Sequence, residues 1–163
     1  MSTVENVNIE ELREKAEKDA REYFRHGLNC AECALKSFWD LGFTDFPPEI
    51  VALASGFGGG IGMTRNTCGA ILGGALAIAT MKGRKDPLAK ETMHERIDEL
   101  NNEETGVYQV FRRYIQEVEA KYGTLICREL AEGYEWEGKP RKKNCQEMIG
   151  YCTSLAVKYA LEK

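Results

Sequence analysis

A cysteine acts as nucleophile or metal ligand in its thiolate form, and four of the six cysteines in this chain sit where a helix would favour that charge. Cys30 follows Asn29, Cys68 follows the turn from Thr64 to Thr67, Cys127 comes three residues after Thr124, and Cys145 follows Asn144. Asn and Thr are helix-capping residues, so each of these cysteines is expected in a first helical turn. There the unpaired N–H groups and the macrodipole attract negative charge. A thiol so placed is expected below its free value near ~8.5. If the four helix starts converge, the result is a pole of four thiolates, suited to disulfide exchange between pairs or to holding an iron–sulfur cluster or zinc. Cys68 is then the principal thiolate and Cys30 its favoured partner, because both flank the same short helix. The gaps of 38, 59 and 18 residues resemble neither the close pairs of zinc fingers nor the compact runs of ferredoxins. Spacing therefore leaves the three chemistries open.

The other two cysteines read differently. Cys152 falls mid-helix on an apolar stripe, where cysteine behaves as a small hydrophobe. Cys33 makes C-A-E-C with Cys30, a dithiol spacing, and is the weaker candidate for a fifth ligand because no βαβ context surrounds it. Ala34 stands where a haem-attachment motif requires histidine, so no haem is expected. His26, before a helix-ending glycine, reads as a C-terminal cap ahead of a proton carrier or ligand; His94 is the only other histidine. Arg65 at the end of the glycine loop reads as a solvated side chain, with service to an anion or thiolate as the alternative. No set of nucleophile, base and acid for hydrolysis can be assembled.

Cys68 is delivered by the stretch from Ala54 to Met81, ASGFGGGIGMTRNTCGAILGGALAIATM. Gly56, Gly58, Gly59, Gly60 and Gly62 lie within seven positions and free the backbone for positive φ and close approach. Gly58, Gly59 and Gly60, with Gly69, are the candidates for contact with a cofactor beside Cys68. A phosphate-binding loop is disfavoured, since the lysine and hydroxyl pair and the preceding strand are missing. The segment from Ala70 to Met81 predicts a buried central helix whose Gly69, Gly73 and Ala77 form one side-chain-poor face. It is too short to span a membrane.

Around it, helical periodicity recurs from Ile9 to Arg25, from Cys30 to Leu41, from Val107 to Tyr122 and from Cys145 to Tyr159. A short helix is expected from Pro48 through Ala54, a poorly patterned one from Leu88 to Leu100, and one capped by Thr124. Glu132 to Lys143 reads as a surface loop anchored by Trp136. Nothing alternates with period two. The expectation is a single all-α domain over residues 1–163, a bundle of six to seven helices packed around the Gly/Ala-rich one.

A chain of 163 residues can bury roughly two-thirds of its unfolded surface without staples. A net charge of −4 with both signs interspersed argues against a nucleic-acid binder. The acidic segment from Met1 to Leu12 lacks an apolar run, so neither a secretory signal nor a transit peptide is expected and the cytoplasm is the expected compartment. Six cysteines in a reducing compartment favour metal, cluster or redox work over structural disulfides. The partner expected is a redox protein or small electron carrier, without membrane insertion; dimerisation through the final stripe stays open.

These residues resemble the C_GCAxxG_C_C family of bacterial and archaeal proteins. The resemblance rests on N-C-A-E at Asn29–Glu32, G-F-G-G-G-I-G at Gly56–Gly62, C-G-A-I-L-G-G at Cys68–Gly74, G-T-L-I-C-R-E-L around Cys127, and C-Q-E-M-I at Cys145. It runs from about Tyr23 to the C-terminus. The family's four cysteines fall on Cys30, Cys68, Cys127 and Cys145, which the resemblance thus marks as the redox-active or metal-binding set. It places Cys33 and Cys152 where the family uses small residues. What it implies is redox activity, without naming a reaction or substrate; a thiol-based or iron–sulfur oxidoreductase is the leading expectation, with a non-catalytic metal-binding scaffold or an interaction module whose cysteines only pack the core as the alternatives.

Overall fold

The computed structural model describes residues 7–163, so the beginning of the acidic N-terminal segment lies outside the described residues. The order is α1 (Ile9–Arg25), α2 (Cys30–Trp39), a 3-10 helix (Pro48–Phe57), α3 (Gly69–Lys82), α4 (Met93–Asn101), α5 (Tyr108–Tyr122), α6 (Cys127–Leu130) and α7 (Lys139–Leu161). The fold is all-helical. Among the described residues no strand forms, and the one β-type pairing is an isolated antiparallel bridge between Thr67 and Ile126. Among the described residues no helix is long and apolar enough to cross a membrane.

Local chemistry explains the boundaries. Asn8 opens α1 by accepting from the Glu10 and Glu11 N–H groups, and Gly27, at φ +93°, turns the chain out of it after His26 caps the helix. Asn29 and Glu32 close a reciprocal capping box on α2, and Thr92 with Glu95 does the same for α4. That box starts α4 at Met93, later than the expected Leu88, and none of its residues is buried. The short helix after Pro48 is 3-10 and runs on to Phe57. Two other boundaries correct the sequence reading. Thr124 does not cap α6; its hydroxyl accepts from the Ile126 N–H, and α6 begins only at Cys127. The expected loop from Glu132 to Lys143 ends early, because Pro140 occupies the first turn of α7, where a missing N–H costs nothing.

α1, α2, α3 and α7 make the core, with α5 and the 3-10 helix against α3. α3 is apolar on every side and shares the centre with α7, whose stripe of Met148, Ile149, Cys152, Leu155, Ala156 and Tyr159 is buried within the chain. That stripe is therefore not a free face for a second copy. Small residues set the helix spacings. A Cβ at Gly73 would lie 2.5 Å from the Ala31 carbonyl oxygen and 2.7 Å from its Cα, so α2 and α3 meet backbone to backbone. A Cβ at Gly150 would lie 2.5 Å from Arg21 Nε, and Ala16 and Ala20 are fully buried on the facing side of α1.

Gly73→Ala is expected to destabilise the protein by about 1–3 kcal/mol through overpacking against backbone, outweighing the ~1 kcal/mol that alanine contributes to helix propensity. Thermal unfolding followed by circular dichroism should show a drop of roughly 2–4 °C per kcal/mol for a chain of this size. Gly56→Ala, with nothing within 4 Å of the added carbon, is the matched control.

Candidate functional site

Cys68 and Cys127 are brought together by backbone pairing. The Cys68 N–H donates to the Leu125 carbonyl at 2.8 Å and the Cys127 N–H to the Asn66 carbonyl at 2.6 Å, on either side of the Thr67–Ile126 bridge. Because side chains alternate along extended backbone, Thr67 and Ile126 face one way and Cys68 and Cys127 the other. The two cysteines are diagonal neighbours, a relation that separates residues by about 7–8 Å.

Asn66 reaches this pairing through an unusual loop. Gly59, Gly60, Ile61, Gly62 and Met63 are five consecutive residues with φ between +59° and +71°, and Arg65 follows at +62°. For the three that are not glycine this conformation costs roughly 1–2 kcal/mol each. The loop is tied back on itself by Gly62 N–H to the Gly56 carbonyl at 2.8 Å, Arg65 N–H to Gly59 at 2.9 Å and Asn66 N–H to Gly60 at 2.9 Å.

Cys30 joins from α2. A Cβ at Gly69 would lie 2.7 Å from Cys30 Sγ and 2.6 Å from the Phe57 carbonyl oxygen, so only glycine after Cys68 lets the start of α2 close on the start of α3. Asn29 locks the approach by donating from its side-chain amide to the Ser55 carbonyl at 3.0 Å. Cys145 comes from α7. The four cysteines line one cavity of about 300 Å³, walled by Phe24, Met148 and Ile149 on the apolar side. Of the candidate glycines, Gly59 and Gly69 line it, while Gly58 packs on Asn29 and Gly60 beneath the Arg65–Asn66 backbone.

At Cys68, Cys127 and Cys145 the electrostatics overturn the expectation of lowered thiol pKa values. Cys68 is the N-cap of α3, yet its sulfur makes no cap hydrogen bond; burial pushes its thiol well up, with Cys152 and Cys30 adding to the rise and the Ala70 and Ile71 N–H groups opposing it too weakly. Burial also raises Cys145 and Cys127, and Cys30 disfavours charge on both. Cys145 gains little from its helix N-terminus, because α7 begins at Lys139 and the residue lies in the second turn. What counteracts burial is arginine. Arg141 Nη1 donates to Cys145 Sγ at 3.6 Å, and Arg141, Arg65 and Arg128 all favour charge on Cys127. Trp136 lines the cavity with Arg65 stacked 4.2 Å from its ring centroid and Arg141 at 4.0 Å.

Arg65 is exposed, as expected, and also stacks on Trp136 at the edge of the cavity. Trp136 and Arg141 were not singled out from sequence as site residues; the usable signal was the i, i+4 spacing of Arg141 and Cys145, hidden once the segment was read as a loop. His26 is exposed, holds Glu22 at 3.1 Å and does not line the cavity. Cys33 and Cys152 are fully buried outside the lining, Cys33 directing its thiol at the Leu28 carbonyl at 3.7 Å. All six cysteines are unpaired, and among the described residues no three His, Cys, Asp or Glu side chains are grouped to hold a single metal ion.

The all-helical bundle gathers four cysteines from distant parts of the chain on one cavity. The chain belongs to the family described as "Putative redox-active protein (C_GCAxxG_C_C)", which matches residues 28–159. No curated protein and no solved structure matches the chain.

Burial keeps Cys33 protonated beyond the ordinary thiol range and pushes Cys152 up to about 12. The folded state therefore retains protons that the unfolded chain loses above about 8.5, so this contribution to stability is complete below that pH and declines as pH rises towards the folded values. Urea midpoints of the reduced protein should fall between about pH 8.5 and about pH 10. A flat profile there would show that these thiols are not held neutral in the core.

Proposed function

We propose that the protein is a redox protein whose centre is built on Cys30, Cys68, Cys127 and Cys145, with Cys68 as the principal sulfur. The supporting observation is that four elements, separated by long stretches of chain, each contribute one cysteine to the lining of a single small cavity. Packing alone needs cysteines as little as the core needs Cys33 and Cys152, and those two lie elsewhere.

The form best supported is the ligand set of a small iron–sulfur cluster. Four soft sulfur donors suit it, and a polynuclear centre spreads its ligands over several metal atoms, which agrees with sulfurs not grouped around one ion and disfavours a lone zinc. When bound, such a cluster supplies one-electron transfer. The chain's own contributions are separate. Cys68 would hold it from the buried side and Cys30, Cys127 and Cys145 from half-buried positions, Phe24, Met148 and Ile149 exclude water, and Arg141 offers an N–H to the Cys145 sulfur, a contact of the kind that tunes cluster potentials. Loss of the thiol protons on ligation removes the unfavourable state that burial otherwise imposes.

One observation favours a second reading, dithiol exchange between Cys30 and Cys68: Cys30 Sγ sits against Gly69, the next residue after Cys68. Two thiols would form one disulfide, passing two electrons and two protons to an acceptor disulfide that becomes two thiols. Six unpaired cysteines accord with a reducing cytoplasm under either reading.

Anaerobic purification with iron and sulfide analysis separates the two. Absorption near ~400 nm with stoichiometric iron and sulfide, lost in Cys68→Ser and Cys127→Ser but kept in Cys33→Ala, is the expected result. Colourless protein that reversibly loses two thiols to mild oxidant would move the assignment to dithiol exchange. Thiols inert to oxidant with no metal would end the redox reading altogether.

A further inference from the structure

The cavity is electrically lopsided. Arg141 lines it beside Cys145, and the exposed Arg65 and Arg128 lie outside the lining on the Cys127 side, Arg65 against the lining residue Trp136, whereas the Cys30 and Cys68 side is bounded by apolar side chains and the glycine loop. None of the three arginines has a carboxylate partner among the described residues, although ion pairs are common elsewhere on this acidic chain, Arg113 with Glu162 and Arg84 with Glu99 among them. Glu137 is the one carboxylate in the cavity lining, and it pairs with none of them.

Two of these cations are also held close to each other. Arg65 and Arg141 stack on the same indole ring, which limits how far they can move apart. Arg128 is anchored next to them by its backbone N–H to the Arg65 carbonyl at 3.1 Å and by its guanidinium to the Thr64 carbonyl at 3.3 Å. Three fixed positive charges gathered without counter-charge repel one another. They are relieved by an anion arriving from outside, and guanidinium is the side chain best shaped to receive a carboxylate or oxyanion. Arg141 and Cys145 are half-buried and the cavity is small, so the anion must be a small molecule and not the surface of a protein.

We propose that Arg65, Arg128 and Arg141, braced by Trp136, form a binding subsite for the carboxylate or oxyanion of a small redox substrate, which they hold beside Cys127 and Cys145. The assignment rests on the reading of this cavity as the redox centre and adds to it the charge class of what reacts there. Arg141 serves both parts, since it touches the Cys145 sulfur and faces the subsite.

The test is calorimetric titration of the protein as purified with two anionic probes, citrate and glutathione disulfide, and one neutral probe, 2-hydroxyethyl disulfide. Saturable binding of an anionic probe, absent for the neutral one, is expected. Arg65→Gln, Arg128→Gln or Arg141→Gln should each weaken it by about tenfold, the scale of one lost charge-assisted contact. Arg141→Lys should retain much of it, and Lys85→Gln, whose charge is already paired with Asp45, should change nothing. Raising ionic strength from about 0.01 M to about 1 M should weaken it further. If Arg141→Gln does not fold, the exposed Arg65 and Arg128 variants decide the matter. Equal affinity for neutral and anionic probes, anion binding unchanged in the arginine variants, or no saturable binding at all would each overturn the proposal. Iron, sulfide and thiol counts judge the redox reading independently of these titrations.

Discussion

The beginnings of α2 and α3 approach so closely that one methyl group at position 69 would press on both Cys30 Sγ and the Phe57 carbonyl oxygen, and one at position 73 would strike the backbone of Ala31. This contact is possible only because two residues lack side chains, and the cavity depends on it. It brings Cys30 and Cys68 to one wall while the rest of α3 remains apolar enough to sit between α2 and α7. Glycine is a poor helix former, at ~1 kcal/mol below alanine, so α3 owes its helicity to its neighbours. The same packing that holds the helix therefore holds the sulfurs.

Two physical effects compete at Cys68, Cys127 and Cys145, and burial wins. Helix starts favour a thiolate, but only within the first turn and only when the sulfur meets the free N–H groups. At Cys68 the Ala70 and Ile71 N–H groups oppose burial too weakly, and Cys145 lies a turn too far along, so desolvation decides and both thiols rise. Neutral buried thiols are slow nucleophiles, and a partner that displaces the proton gains most from them. Arginine is the chain's compensation, applied on the Cys127 and Cys145 side alone.

Much of this was legible in the residues. The capping pair Asn29 and Glu32, the glycines after His26 and Tyr122, and the periodic stripes of α1, α5 and α7 declare the helical fold because each is a local signal. The grouping of Cys30, Cys68, Cys127 and Cys145 was legible too, although part of its rationale was wrong, since Thr124 is no cap and Cys145 is not in a first turn. The Arg65–Trp136–Arg141 stack was not legible. It joins side chains separated by some seventy positions, and no local period announces a contact made across space. Nor does composition reveal that Ile61, Met63 and Arg65 would adopt the left-handed conformation natural to the glycines among them.

The order of the elements along the chain also governs assembly. The first and last helices, α1 and α7, lie against each other, and α7 bears the final sulfur. As the polypeptide leaves the ribosome, Cys30 and Cys68 emerge long before Cys145, and no truncated nascent chain can close the chamber.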